Sequence, residues 1–153
     1  TPGLENLSEH GKISPLDKEI RAAIKEGNAG TLIVIPKAIN GPIHKPISTV
    51  FNIDSKHPYV SFVDMIAPSP DWFAAANARL YKYGRWVPNL VVKAYAWDSG
   101  GDLGKTFLAK DQDTMPKQPS KQNKDKHFVY RGKVVPVGVF VFTRVPDVQA
   151  GER

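Results

Sequence analysis

The sequence predicts a mainly β protein, an antiparallel β-sandwich with one N-terminal helix. Three observations predict it. Five segments rich in β-branched and aromatic residues stand between Pro, Gly and Asn punctuation: 31–36, 48–53, 59–67, 90–97 and 134–145. Thirteen prolines and twelve glycines suit many turns and disfavour a helical bundle. No helix-sized segments alternate with the strands, which argues against a parallel α/β sheet.

The elements follow in order. Residues 1–13 read as an extended arm, in which Asn6-Leu7-Ser8 fits an N-glycosylation acceptor. "SPLDKEIRAAIKEGN" (14–28) is the clearest helix, with Ser14 as cap, Pro15 in the first turn, and Asp17 and Glu19 at the positive end of the dipole. Leu16, Ile20, Ala23 and Ile24 form its apolar stripe, and Gly27 or Asn28 ends it. The five strands come next. In 91–97, Val91, Tyr95 and Trp97 share one face, and Val92, Ala94 and Ala96 the other. The stretch 109–127 is polar and basic at its end, so it reads as a long loop. At 153 residues the chain, 1–153, is expected to form one domain.

Composition narrows the function. With no cysteine there is no disulfide framework and no thiolate metal site. No apolar run approaches a membrane span. The net charge of +6 favours anionic partners or simply gives a soluble basic surface. Charge alone, without a recognition motif, does not support nucleic-acid binding.

Two stretches carry the chemistry. In "MIAPSPDWF" (65–73), Asp71 stands before two large aromatics, either as a helix cap or as a ligand for a cation. In "WDSGGDLG" (97–104), Asp98 and Asp102 are four apart around two glycines. Glycine lets such a loop fold tightly enough for carboxylates and carbonyls to converge, and a hard cation such as calcium needs several oxygens. Asp-Gly turns also occur in sheets with no ligand, so the spacing alone leaves both readings open.

Together "MIAPSPDWF", "GRWV" (84–87) and "AYAWDSGGDLG" (94–104) resemble the spondin domain, the N-terminal module of F-spondin and mindin that also occurs alone in secreted proteins. The resemblance is specific over 59–104, looser over 14–58 and weak after 105. It implies a C2-like sandwich of about eight strands with a cation site at one end. It implies that Asp71, Asp98 and Asp102 are calcium ligands and that the chain is secreted. Departures exist. The family's Thr-Asp-Ser is Gly101-Asp102-Leu103 here, and no carboxylate follows in "AAANARLYKY". Asp64 is an extra charge in a strand-like run, expected to face solvent. The animal modules carry cysteines, so this chain resembles the free-standing proteins more closely.

Trp72, Tyr81, Tyr83, Arg85 and Trp86 are candidate ligand-binding residues near the metal loops, because aromatic and basic side chains together stack on sugars, headgroups or apolar ligands. Lys117, Lys121, Lys124 and Lys126 form either an anion-binding patch or a solvated loop. His10, His44, His57 and His127 lack metal-ligand spacing, and no nucleophile motif is present, so no enzyme is expected. The leading expectation is a calcium-binding recognition module for an extracellular glycan, matrix or cell-surface component. The alternative is a carrier of an apolar small molecule, lipid or pigment, held by aromatic residues of the sandwich or at a homo-oligomer interface.

Overall fold

The computed structural model describes residues 1–35 and 46–145. Its architecture is mainly β, with 32% strand against 16% helix, in antiparallel sheets that curl into a half-barrel. Two α-helices lead: α1 (Pro2–His10) and α2 (Leu16–Lys25). Nine strands follow among the described residues: β1 (Tyr59–Met65), β2 (Trp72–Arg79), β3 (Tyr81–Lys82), β4 (Arg85–Trp86), β5 (Asn89–Asp98), β6 (Lys121–Gln122), β7 (Val129–Tyr130), β8 (Lys133–Val134) and β9 (Gly138–Thr143). A 3₁₀ turn over Lys126–Phe128 precedes β7.

The expected extended arm is a helix. Thr1 caps it by accepting the Leu4 N–H, Pro2 sits in its first turn, and Gly11 closes it at φ 66°. In α2 the stripe of Leu16, Ile20, Ala23 and Ile24 is half-buried while Lys18, Arg21 and Lys25 are exposed, as the periodicity predicts. Its start is corrected by one residue: Pro15, not Ser14, occupies the cap position, with no side-chain cap bond. Instead the Ser14 carbonyl accepts from Asn6 Nδ2 at 2.5 Å, tying the two helices together. They touch where Gly3 meets the Leu16 backbone too closely for any Cβ, and the Gly3 N–H donates to Glu19 Oε1 at 2.8 Å.

The main sheet runs β1-β2-β5-β6, with β9 also pairing with β5. β5 is long enough to serve three partners: Asn89–Ala94 pairs with β9, Tyr95–Asp98 with β2, and Trp97–Asp98 also with β6. Register and alternation place Val60, Phe62 and Asp64 on the face that carries Trp72, Ala74, Ala76 and Ala78 of β2, and Ala94 and Ala96 of β5. That face is concave because alanines line its middle. The two outer strands therefore approach each other, and the Phe62 and Phe140 rings stand 4.1 Å apart between centroids. At the other end of the concavity Trp72 packs edge-on against Phe107 and Phe128.

Strands expected at 31–36 and 48–53 do not form over the described residues, which are irregular. β-branched residues there supply propensity but find no pairing partner among the described residues, and pairing makes a strand. β2 was not expected, yet it is a central strand between β1 and β5. The 109–127 stretch is a loop over most of its length, interrupted by β6.

Candidate cation site

Asp71 ends a tight loop. The Ile66 N–H reaches back to the Trp72 carbonyl at 2.9 Å, and the Trp72 N–H donates to Ser69 Oγ at 3.1 Å. No helix follows, so Asp71 is not a helix cap; it stands one residue before β2. The antiparallel register lays Trp72 opposite Asp98, which brings Asp71 against the Gly-rich loop that begins there.

The contact is built from backbone and charge. Asp71 is fully buried. Its Oδ2 accepts from Ser99 Oγ at 2.9 Å, from the Gly101 N–H at 2.9 Å and from the Asp102 N–H at 3.2 Å. Its Oδ1 has no hydrogen-bond partner. A buried carboxylate with one oxygen saturated and the other orphaned is costly unless a cation or proton is supplied. The glycines are required: Gly100 sits at φ 81°, where a Cβ would also collide with the Gln118 carbonyl.

Asp98 closes the far side. Its Oδ1 accepts the Gly100 N–H at 2.9 Å, and its Oδ2 lies 3.5 Å from Lys121 Nζ. Burial raises its pKa, the Asp71 charge raises it further, and Lys121 opposes both. A cavity beside it is lined by Asp98, Lys121, Gln122, Asn123 and Lys124.

Asp102 is buried but faces away. Its Oδ1 accepts the Gly104 N–H and its Oδ2 the Gln112 N–H, so the carboxylate fastens the 102–112 loop. The structure thus brings all three predicted aspartates to one loop junction, but their oxygens do not converge. Among the described residues, the carboxylates that do converge within 4.8 Å are Glu5, Glu9 and Asp113. The donor set around Asp71 is all oxygen and one atom of it is unsatisfied, which fits a hard cation; Asp102 would have to exchange an amide for it.

Glu5 and Glu9 were missed because α1 was read as an arm; one helical turn apart, they project together. The polar loop is also more engaged than composition suggests. The Thr114 N–H donates to the Gly101 carbonyl at 2.8 Å, Asp102 and Asp113 form a bridge, and Thr114 and Asn123 are buried. Lys117 lies across the surface of the junction: its Nζ is 2.7 Å from Glu5 Oε1 and 2.9 Å from Asp113 Oδ1. It is therefore committed to internal pairs, unlike Lys121, which is largely exposed.

The candidate ligand-binding residues separate. Trp72 belongs to the core at 2% exposure. Tyr81, Arg85 and Trp86 form the β3–β4 hairpin, with Tyr83 at its tip and the Tyr81 and Trp86 rings 4.9 Å apart. This hairpin follows the end of β2 remote from Asp71, so the expectation that these residues lie near the metal loops is corrected. His10, His57 and His127 each face a neighbouring carboxylate; His44 lies outside the described residues.

Comparison with known proteins agrees with the two motifs. The sequence profile described as Spondin_N matches residues 1–129. Rat spondin-2 is 33% identical over 115 residues, covering 74% of this chain and 34% of its own length. Mouse spondin-1 is 29% identical over 124 residues, covering 76% of this chain and 15% of its own. Human spondin-2 is 31% identical over 115 residues. The chain therefore spans about a third or less of these curated relatives. Among the described residues no helix is long and apolar enough to cross a membrane.

Proposed function

The chain belongs to the spondin N-terminal domain family, and from that premise we propose that it is an extracellular, non-enzymatic recognition module that holds calcium at Asp71, Asp98 and Asp102. The observation that carries the proposal is the orphaned Oδ1 of fully buried Asp71, beside an Asp98 whose pKa that charge helps to raise. A calcium ion there satisfies the oxygen and relieves the repulsion.

Recognition is assigned to the same end of the sheet. Lys121 and Lys124 line the cavity beside Asp98, so an anionic ligand would meet both ammonium groups and the ion. Acidic glycans of matrix or cell surfaces have this chemistry. The overall charge of +6 supports the same class of partner.

Binding of the whole chain to acidic and neutral glycans, compared in calcium and in chelator, tests the reading. Binding of acidic glycans that chelator abolishes and Asp98→Asn weakens at least about tenfold, 1.4 kcal/mol, is the expected result. Binding indifferent to both changes, or an apolar molecule extracted from the purified protein with no glycan bound, would contradict it. The second outcome would favour the carrier of a lipid or pigment.

A further inference from the structure

A second group of carboxylates stands on the other side of Gly101. Glu5 and Glu9 come from α1, and Asp113 from the loop that bridges back to Asp102. One oxygen of each lies within 4.8 Å of the others. Acidic groups gather on many surfaces without a ligand, so the cluster alone decides nothing. Two further features do.

The first is Lys117. Its ammonium donates to Glu5 Oε1 at 2.7 Å, to Asp113 Oδ1 at 2.9 Å and to the Gly101 carbonyl at 3.0 Å. The fold therefore already places a positive charge inside a shell of three oxygens. Lys117 is partly exposed, with its side chain at 36%, so it can leave toward water.

The second is Glu9. Its side chain is only 7% exposed, yet no donor reaches its Oε1. That oxygen is aimed at the junction, since a Cβ on Gly101 would stand 2.5 Å from it. The ion pairs of Lys117 are with Glu5 and Asp113; Glu9 has only the His10 imidazole 3.7 Å from its Oε2, and its Oε1 has no partner. Burial and the neighbouring Glu5 push Glu9 up to about 7, with Lys117 pulling the other way. One ammonium against three carboxylates, Glu5 and Glu9 half-buried and Asp113 exposed, leaves an excess of negative charge that a doubly charged ion would balance better.

We propose that Glu5, Glu9 and Asp113 form a second divalent-cation site, of the oxygen-rich kind that takes calcium, and that the Lys117 ammonium is the resident stand-in displaced when the ion enters. The donors are three carboxylates and the Gly101 carbonyl, all hard oxygens. The site is separate from the one at Asp71 but shares Gly101 with it. The Gly101 N–H holds Asp71, and its carbonyl faces Lys117.

Calorimetric titration of calcium alone into the chelator-treated whole chain tests this. Two ions per chain are expected. Glu9→Gln removes one, Asp98→Asn leaves the ion that depends on Glu9, and Lys117→Met tightens that same Glu9-dependent ion about tenfold by removing its competitor. A stoichiometry unchanged by Glu9→Gln, with no gain in Lys117→Met, overturns the proposal. If Glu9→Gln does not fold, Lys117→Met decides: no added ion and no gain in affinity overturns it. A single ion retained in Asp98→Asn and lost in Glu9→Gln would sink the Asp71 reading while supporting this one.

Discussion

Two aspartates 7 residues apart in sequence show how environment decides what a charge does. Asp71 is buried with three donors on one oxygen, so the fold uses it as a clamp on the Gly-rich loop. Asp64 is half-buried on the concave face, opposite Ala74, and was expected to face solvent. Burial raises its pKa, and the Met65 N–H opposes that rise. The sign follows from linkage. A carboxyl whose folded pKa exceeds its unfolded value contributes most below the unfolded value, and that contribution is lost as pH rises through the folded one. Asp64→Asn should therefore melt higher at neutral pH and show a flatter rise in stability toward acid pH. Melting curves from pH 4 to pH 7 check this; an unchanged slope would place Asp64 in water. At this scale spacing alone left Asp98 and Asp102 open between a plain turn and a ligand pair. That Asp71 would meet them at one loop junction was legible only through the family resemblance. The rotation of the Asp102 carboxylate onto the Gly104 and Gln112 amides was not, because it depends on a loop closing ten residues away.

Elements were legible when local signals and pairing agreed. α2, β1 and β9 fall within predicted segments, and β5 overruns its expected 90–97 by one residue at each end. α1 was missed although Thr1, Pro2 and Gly11 are sound start and stop signals; a nine-residue helix with glycine inside it has little periodicity to display. β2 was missed for a different reason. "AAANAR" has no β-branched residue, and its strand state is imposed by β1 and β5 on either side. The β3–β4 hairpin was read as a loop turning at Gly84, and the turn is there. Tyr83 and Gly84 both have positive φ, at 51° and 76°, the pattern of a type I′ turn. Tyr83 occupies a position that suits Asn or Gly, and its side chain is almost wholly exposed at 99%. Tyr83→Asn should stabilise the fold by about 0.5–1 kcal/mol, read as a higher urea midpoint. A lower midpoint would mean that the ring makes stabilising contacts.

The whole molecule has two chemically different ends. β2 is eight residues long, about 25 Å, and carries the aspartate junction at its start and the aromatic hairpin beyond its finish. α1 and the 109–120 loop converge on the junction, so a helix, a tight turn and a long loop are all fastened at Gly100–Gly101. Three elements meeting over orphaned carboxylate oxygens is the arrangement that a bound cation would stabilise most. On the proposed function the folded chain binds calcium through the Asp71–Asp98 junction. The most direct measurement is thermal unfolding of the chelator-treated protein with and without calcium, for the native chain and Asp98→Asn. A ligand that binds only the folded state adds about 2.7 kcal/mol at a hundred times its dissociation constant. The account predicts a rise of several degrees in millimolar calcium that Asp98→Asn greatly reduces; no rise, or an equal rise in both chains, would contradict it.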